Sequence, residues 1–175
     1  RSLCRSTFYK LYIRPSLEYA STAWSSLTAR QIDRLERFQR KAAKTILRRP
    51  LFVPSDHDEI LQTIGWPSLH SRRRYRLAVL GYRIAHGQIP QHLQEVSVLF
   101  SQRLIHYELR HQAHFTTPAS NTYLFQHSPL FQAATIYNCL MPETRDQPSL
   151  QLFKLKARTE LLNSQCPCSQ HIRGT

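Results

Sequence analysis

Two places in the sequence carry residue types that can act chemically, and the first is an acidic pair. Asp56 and Asp58 flank His57, and converging carboxylates are what a polymerase needs to hold magnesium. Ser55 precedes the pair as a helix N-cap residue, and acidic side chains in a first helical turn are stabilised by the helix dipole. We therefore interpret these carboxylates as the start of a helix and expect no metal ion there.

The second place is near the C-terminus, where Cys166, Cys168 and His171 combine the thiol and imidazole ligands that zinc prefers. The Cys-x-Cys spacing is tighter than the common zinc spacing, and no fourth ligand follows in the sequence. We keep the three residues as weak metal candidates and favour a nonfunctional remnant of a zinc knuckle.

Common catalytic signatures are absent from the sequence. There is no Gly-x-x-x-x-Gly-Lys phosphate loop, no Gly-x-Ser-x-Gly turn and no His-Glu-x-x-His zinc pair. We therefore expect no catalytic residues, no cofactor and no enzymatic activity from this chain on its own.

Basic residues dominate the charged set. Lys and Arg total 24 against 11 Asp and Glu, which gives a net charge of +13. Such a surface attracts polyanions, and arginine adds forked hydrogen bonds to phosphate. We expect the backbone of RNA or DNA as the partner, while composition alone leaves anionic lipid and acidic protein open.

The first concentration of positive charge lies on a predicted helix. Thr28 and Gln31 form a capping box at its start, and the helix should end near Arg49, before Pro50. Its apolar side comprises Ile32, Leu35, Ala42, Ile46 and Leu47. Its basic stripe comprises Arg30, Arg34, Arg37, Lys41, Lys44 and Arg48, with Arg40 at the edge. We predict that the stripe contacts phosphate, and an ordinary solvated helix face is the alternative.

The second concentration lies in the first half of another helix, which Ser68 opens and Gly87 closes. It comprises Arg72, Arg73, Arg74 and Arg76. Cations near a helix N-terminus oppose the helix dipole, so a bound phosphate would explain their presence. Solubility or drift is the alternative. The inward residues of this helix should be Leu69, Leu77, Leu80 and Ile84.

The elements that must position these residues are helical. Ten prolines and only four glycines favour short helices, so we predict an all-α fold with about five to seven helices in an irregular bundle. The remaining predicted helices cover 3–26 with a break or kink at Pro15, 55–64 closed by Gly65, 91–100, 128–140 and 148–162. In the last helix we expect Leu152, Leu155 and Leu161 or Leu162 inside.

Four regions follow along the chain. We predict a basic helical region at 1–100, a loop or extended linker at 101–127, a helical pair at 128–163 and a disordered tail at 164–175. A small β element is the alternative for 101–127, where apolar residues lack a helical period. Cys4 and Cys139 are expected to be reduced and buried. No apolar run suits a membrane span and no signal-peptide core is visible, so we expect a fragment of an intracellular protein.

Aromatic residues near the N-terminus have two interpretations. Tyr9, Tyr12, Tyr19 and Trp24 could stack on nucleic-acid bases, but aromatic residues at helical spacing more often belong to a core. Close by, Glu18 follows Arg14 at i,i+4, where we expect a surface pair.

Several stretches together resemble a known family. They are YIRPSLEYASTAW at 12–24, IDRLERFQRKAAKTIL at 32–47, IGWPSLHSRRRYRLAVLGYRIAHG at 64–87, and IYNCLMPE with PSLQLFKLKARTEL near the end. In this order they resemble the region that follows the polymerase core in LINE-type, jockey-like non-LTR retrotransposon reverse transcriptases. Tyr137 stands where that family has tryptophan and the motif around it carries one extra residue, so we expect the last helices to be imperfectly formed.

The resemblance implies a thumb-like and post-thumb region of an RNA-directed DNA polymerase. Such a region would hold template, primer duplex or target DNA while an absent catalytic palm, with its Mg²⁺, polymerises. The expected partners are therefore RNA or DNA backbone and the parent polymerase core, and the expected location is nuclear. The site residues would be Arg30, Arg34, Arg37, Arg40, Lys41, Lys44, Arg72, Arg73, Arg74 and Arg76. A protein-interaction scaffold and a decayed transposon remnant without activity remain the alternatives.

Overall fold

The structure is a computed structural model that describes residues 2–23, 27–52, 57–97, 115–117, 119 and 122–163. Within these ranges the chain forms nine helices and no strand, which confirms the predicted all-α class. Seven of these helices are longer than one turn, in agreement with the predicted number, and two single-turn helices add to them. The tail at 164–175 and most of the segment at 101–127 lie outside the described residues.

Helix α1 covers residues 2–18 and changes its winding in the middle. It consists of Ser2–Phe8, a π-helical turn at Tyr9–Ile13, and Arg14–Glu18. The predicted interruption at Pro15 takes this form because a proline ring clashes with the carbonyl four residues earlier and brings no N–H of its own. The helix ends before Tyr19, whose extended backbone (ψ 129°) stops it well short of the predicted end at residue 26.

Helix α2 spans Ala29–Leu47 and begins with the predicted capping box. The Thr28 side chain accepts a hydrogen bond from the Gln31 backbone N–H, while the Gln31 side chain accepts one from the Thr28 backbone N–H at 2.9 Å. The helix ends at Arg48, which adopts a left-handed conformation (φ 54°) just before Pro50. Both ends are thus set by local chemistry that is visible in the sequence.

Helices α3 (His57–Ile64), α4 (Leu69–Ala85) and α5 (Gln91–Ser97) follow. Gly65 and Gly87 have positive φ values of 69° and 64°, and they end α3 and α4 as predicted. The Ser68 hydroxyl accepts a hydrogen bond from the Ser71 backbone N–H and so opens α4. The predicted cap at Ser55 and the acidic residue Asp56 lie outside the described residues.

The C-terminal elements are α6 (Tyr123–Gln126), α7 (Pro129–Cys139), α8 (Pro142–Arg145) and α9 (residues 150–163, with a final π-helical turn at Thr159–Asn163). Ser128 and Ser149 cap α7 and α9, so both helices begin within two residues of the predicted starts at 128 and 148. All these helices are formed, so the expectation of imperfect helices around Tyr137 was wrong. Tyr137 itself is buried in the apolar core.

The inward face of α9 differs from the prediction. Leu152 and Leu155 are exposed, whereas Phe153, Ala157 and Leu161 are buried at i, i+4 and i+8. The prediction was wrong because several leucines compete for the interior and the larger Phe153 ring determines which stripe packs inward. Only the expected burial of Leu161 is confirmed.

The described residues contain two apolar clusters that share α4 as a neighbour. The N-terminal cluster joins α1, α2 and α3 and includes Tyr9, Ala43, Ile46, Ile60, Leu61 and Trp66. The C-terminal cluster joins the second half of α4 to α7 and α9 and includes Leu77, Tyr82, Ala134, Tyr137, Phe153 and Leu161. The predicted inward positions on α4 are confirmed: Leu69 and Leu77 are buried, and Leu80 and Ile84 pack against the C-terminal cluster.

Three local features complete the core. Phe115 is buried in the C-terminal cluster, and the Asn138 side-chain amide bonds both its backbone N–H and its carbonyl at 2.9 Å. Cys4 and Cys139 are free thiols, but both are exposed rather than buried as expected. Each sits on the outer face of its helix, where small residues are tolerated without packing.

Candidate nucleic-acid interface

Four cations share the outer face of α2, and a fifth follows directly after its end. Arg30, Arg34, Arg37, Lys41 and Arg48 are all exposed. At 3.6 residues per turn the four that belong to α2 fall within an arc of roughly 60°. Arg48 follows the helix in a left-handed conformation, so the helical period does not place it. We call these five residues the basic face. It presents a straight row of positive charge to solvent, in the geometry needed to follow a phosphate backbone.

The charges of the basic face are available for an outside partner. Arg37 forms the one ion pair that this face makes with a described residue, at 2.5 Å to Asp33, and both side chains are well exposed. Exposed i,i+4 pairs contribute little and exchange readily for other partners. The basic face therefore carries positive charge that the described part of the chain leaves largely uncompensated.

Lys44 does not belong to this face, contrary to the prediction. Its side chain is only 5% exposed, and its Nζ donates a hydrogen bond to the Leu51 carbonyl at 3.4 Å. The chain after α2 turns back over this position, which the helical period alone did not reveal. Arg40 is half-buried at the edge of the stripe, as its intermediate position predicted.

Arg72 and Arg76 both bind one carboxylate. Glu18, at the end of α1, is 3% exposed. Its Oε2 accepts a hydrogen bond from Arg72 Nη2 at 3.0 Å and one from Arg76 Nη2 at 2.5 Å, and its Oε1 pairs with Arg72 Nε. The expected surface pair between Glu18 and Arg14 is therefore wrong, because the end of α1 packs against α4 and removes Glu18 from solvent.

Arg73 and Arg74 are buried, with 8% and 7% exposure. Burial lowers the pKa of Arg73 below its ordinary value, while the nearby Glu36 carboxylate acts in the opposite direction. Predicted as phosphate ligands, these two side chains are instead covered by the fold, and Arg73 lies near Glu36 of α2.

Two buried polar residues of α2 hold the first turn of α4. Glu36 accepts a hydrogen bond from the His70 backbone N–H at 2.7 Å. Gln39 accepts one from the Leu69 backbone N–H at 3.2 Å and donates one to the Pro67 carbonyl at 3.1 Å. These side chains satisfy N–H groups that a helix start leaves without intrahelical partners.

The positive charges in the first half of α4 are compensated from within the chain and not by the external phosphate that was predicted. Glu18 and Glu36 supply negative charge from within the chain. Charge compensation from within the chain follows a general rule, because buried arginines usually pair with buried glutamates on neighbouring helices. Which glutamates meet which arginines depends on tertiary packing and was not visible.

The aromatic residues considered for base stacking differ in their exposure to solvent. Tyr9 is buried and stacks on Trp66 with ring centroids 4.2 Å apart, whereas Tyr12 and Tyr19 are exposed. Trp24 lies outside the described residues. Phe38, which the sequence analysis did not single out, is exposed on α2 beside the basic face.

The weak zinc candidates Cys166, Cys168 and His171 also lie outside the described residues. Within those residues, no three His, Cys, Asp or Glu side chains are grouped closely enough to hold a metal ion. No helix in the described ranges combines the length and apolar character needed to cross a membrane.

The fold and the site together define an all-helical protein whose second helix exposes a row of cations. Comparison with known proteins found no matching family model, no matching curated protein and no matching solved structure. The likeness to retrotransposon reverse transcriptases therefore rests on the sequence motifs quoted above.

Proposed function

We propose that this chain is a non-catalytic module that binds the phosphate backbone of RNA or DNA through the basic face of α2. The observation that carries the proposal is the row of four exposed cations on one side of α2, with a fifth exposed cation, Arg48, just past the end of the helix. Lys and Arg neutralise phosphates and release condensed counterions, and this term dominates sequence-independent binding. The net charge of +13 adds long-range attraction to the same class of partner.

The sequence motifs support a more specific version of the proposal. In it, the chain is the thumb-like region of a non-LTR retrotransposon reverse transcriptase and holds template, primer or target DNA. Polymerisation and its Mg²⁺ would then belong to the palm of the parent protein, and the module would work in the nucleus. A thumb grips mainly the backbone, which is what a row of cations without base-specific geometry does.

The test is a fluorescence-anisotropy titration of the full chain against labelled duplex DNA, single-stranded RNA and an RNA–DNA hybrid at several salt concentrations. With about four or five phosphates neutralised, the log-log slope for duplex DNA should lie near −4. A flat salt response would contradict the electrostatic basis of the proposal.

A charge-reversed variant locates the site. Arg30→Glu, Arg34→Glu and Lys41→Glu together should abolish binding, because they replace three of the five cations of the basic face. The matched control changes the net charge equally on α4 and α9 with Arg83→Glu, Lys154→Glu and Arg158→Glu. Equal losses in both variants would mean that net charge, and not the basic face, governs binding.

Arg72 and Arg76 of α4 are unsuitable for such a test. Arg72→Glu or Arg76→Glu would place a second carboxylate against buried Glu18 and remove one of its two partners. The resulting loss of stability would mimic a loss of binding.

A protein-interaction role is the second candidate, and the outer side of α1 favours it. Phe8, Leu11 and Tyr12 are exposed, and the rings of Phe8 and Tyr12 stack with centroids 5.1 Å apart. Contiguous exposed apolar side chains are typical of a surface that contacts another protein, such as the parent polymerase core. A chain that unfolds cooperatively and binds no nucleic acid at low salt would favour this role over the first.

A further inference from the structure

Phe38 is an exposed aromatic ring at the edge of the basic face. Its side chain is 61% exposed on α2. Arg34 precedes it by one helical turn and Lys41 follows it by nearly one turn, so the ring lies about 6 Å and 4.5 Å from them along the helix axis. Most of this large apolar side chain is therefore open to solvent.

The ring is held outward by the contacts of the opposite side of the helix. Gln39, the next residue, is 1% exposed and bonds to the backbone of Pro67 and Leu69. Glu36, two residues earlier, bonds to the His70 backbone N–H. These directional bonds fix the rotation of α2, and Phe38 cannot turn inward without breaking them.

We propose that Phe38 is a stacking platform for an unpaired base, so that the basic face takes single-stranded nucleic acid in preference to duplex. The inference rests on the proposed function and names its substrate class. Proteins that bind single strands combine cations that track the backbone with aromatic rings on which bases stack. In a duplex the base faces are already covered by their neighbours, so an exposed ring among phosphate-binding cations gains nothing there.

Other occupants fit this surface less well. A protein partner that covered Phe38 would also have to desolvate Arg34, Arg37 and Lys41, which is costly without matched carboxylates. An anionic bilayer would need a continuous apolar stripe beside the cations, whereas Phe38 is the one large exposed apolar side chain on α2. A nucleotide strand offers negative charge and a flat apolar face in the same repeating unit.

The test separates base stacking from phosphate attraction. The full chain is titrated with an oligothymidine strand of about ten nucleotides, and with a strand of the same length and charge built from abasic units. We expect the thymidine strand to bind about tenfold more tightly, because stacking one base on an aromatic side chain has an effect of that order. Phe38→Leu should remove this preference while leaving the affinity for the abasic strand unchanged.

Further variants complete the test. Phe38→Trp, which keeps a flat ring, should retain or increase the preference for the thymidine strand. Leu155→Ala, which removes exposed apolar surface on α9, should change neither affinity. An oligouridine strand run in parallel should show the same loss on Phe38→Leu, since the ring contacts the base and not the sugar.

Failure of the inference is distinguishable from failure of the proposed function. If both strands bind equally and the Arg30, Arg34 and Lys41 reversal abolishes binding, the backbone-binding function stands and the stacking role is overturned. If neither strand binds at low salt, the proposed function itself is overturned. A Phe38→Leu variant that loses affinity for both strands equally would also contradict a stacking role, and thermal melts of each variant verify that its fold is intact.

Discussion

The two halves of α4 are attached to the rest of the molecule by different kinds of contact. The first half, from Leu69 to Arg76, is bonded by carboxylate and amide groups of Glu18, Glu36 and Gln39. The second half packs Leu77, Ala78 and Tyr82 into the C-terminal apolar cluster. At Gly81 an added Cβ would lie 2.8 Å from Tyr137 Cβ, so α4 and α7 approach too closely there for any larger residue.

The two kinds of contact have different roles, because the polar contacts set the orientation of α2 and the apolar contacts supply most of the stability. Apolar burial is non-directional and scales with area, so the second half of α4 supplies most of the attraction that holds the helices together. Hydrogen bonds and ion pairs have demanding geometry, so the first half fixes how α2 is rotated. The rotation of α2 in turn determines that the basic face and Phe38 point outward.

The largest expected effect comes from removing a buried side chain from the C-terminal apolar cluster. Phe153 is 0% exposed, and its ring lies 4.4 Å from Tyr82 and 6.0 Å from Tyr137 between centroids. Phe153→Ala should lower the free energy of unfolding by about 3–5 kcal/mol, through lost burial and the cavity left behind. Urea unfolding measures the change, which should be the same at low and high salt.

Leu155→Ala on the same helix is the control, because Leu155 is 63% exposed. It should change the free energy of unfolding by no more than about 0.5 kcal/mol. If Leu155→Ala lowered the free energy of unfolding by as much as Phe153→Ala, α9 would present to the core the leucine face that was predicted from the sequence.

A smaller effect is expected from removing the carboxylate that pairs with the first half of α4. Glu18→Gln leaves Arg72 and Arg76 without their carboxylate and should lower the free energy of unfolding by about 2 kcal/mol. This is less than for a fully buried pair because both guanidiniums are partly exposed, at 22% and 38%, and keep some hydration. The measurement is urea unfolding at low and high salt.

Asp33→Asn is the matched control for Glu18→Gln, since it removes the carboxylate from the exposed pair with Arg37. Its effect on stability should stay within about 0.5 kcal/mol, and added salt should weaken it further. An equal loss from both substitutions would indicate that Glu18 behaves as a surface residue.

The comparison also explains which features were predictable from the sequence. The predicted helix starts at Thr28 and Ser68 were correct because they depend on residues within one turn of the helix end. The row of exposed cations on α2 was likewise visible from helical spacing, apart from Lys44. All of these are local relationships.

Features that depend on distant partners were not predictable. The burial of Arg73 depends on α2 lying against the first half of α4, and the burial of Arg74 likewise depends on tertiary packing. The choice of Phe153 over Leu152 and Leu155 required knowing the shape of the pocket between α4 and α7. Spacing along one helix identifies possible faces, while the partner determines which face is buried.

The smallest expected effect compares two buried tyrosines, one in each apolar cluster. The Tyr9 hydroxyl has no hydrogen-bond partner among the described residues, whereas the Tyr137 hydroxyl donates to the Arg145 carbonyl at 3.3 Å. Tyr9→Phe should therefore raise the free energy of unfolding at neutral pH by about 1 kcal/mol, and Tyr137→Phe should lower it by about 1 kcal/mol. Opposite signs from the same chemical change would reflect the presence or absence of one partner.

The two tyrosines should behave alike at alkaline pH. Burial raises the pKa of Tyr9 to about 12, with Glu18 adding to the effect, and burial likewise raises the pKa of Tyr137 to about 12. In the unfolded chain both phenols titrate near 10, so the stability from their neutral forms is present below about pH 10 and lost as the pH rises towards 12. Each Phe substitution should flatten this decline in unfolding experiments, and an unchanged slope for Tyr9→Phe would mean that its phenol is solvated in the native state.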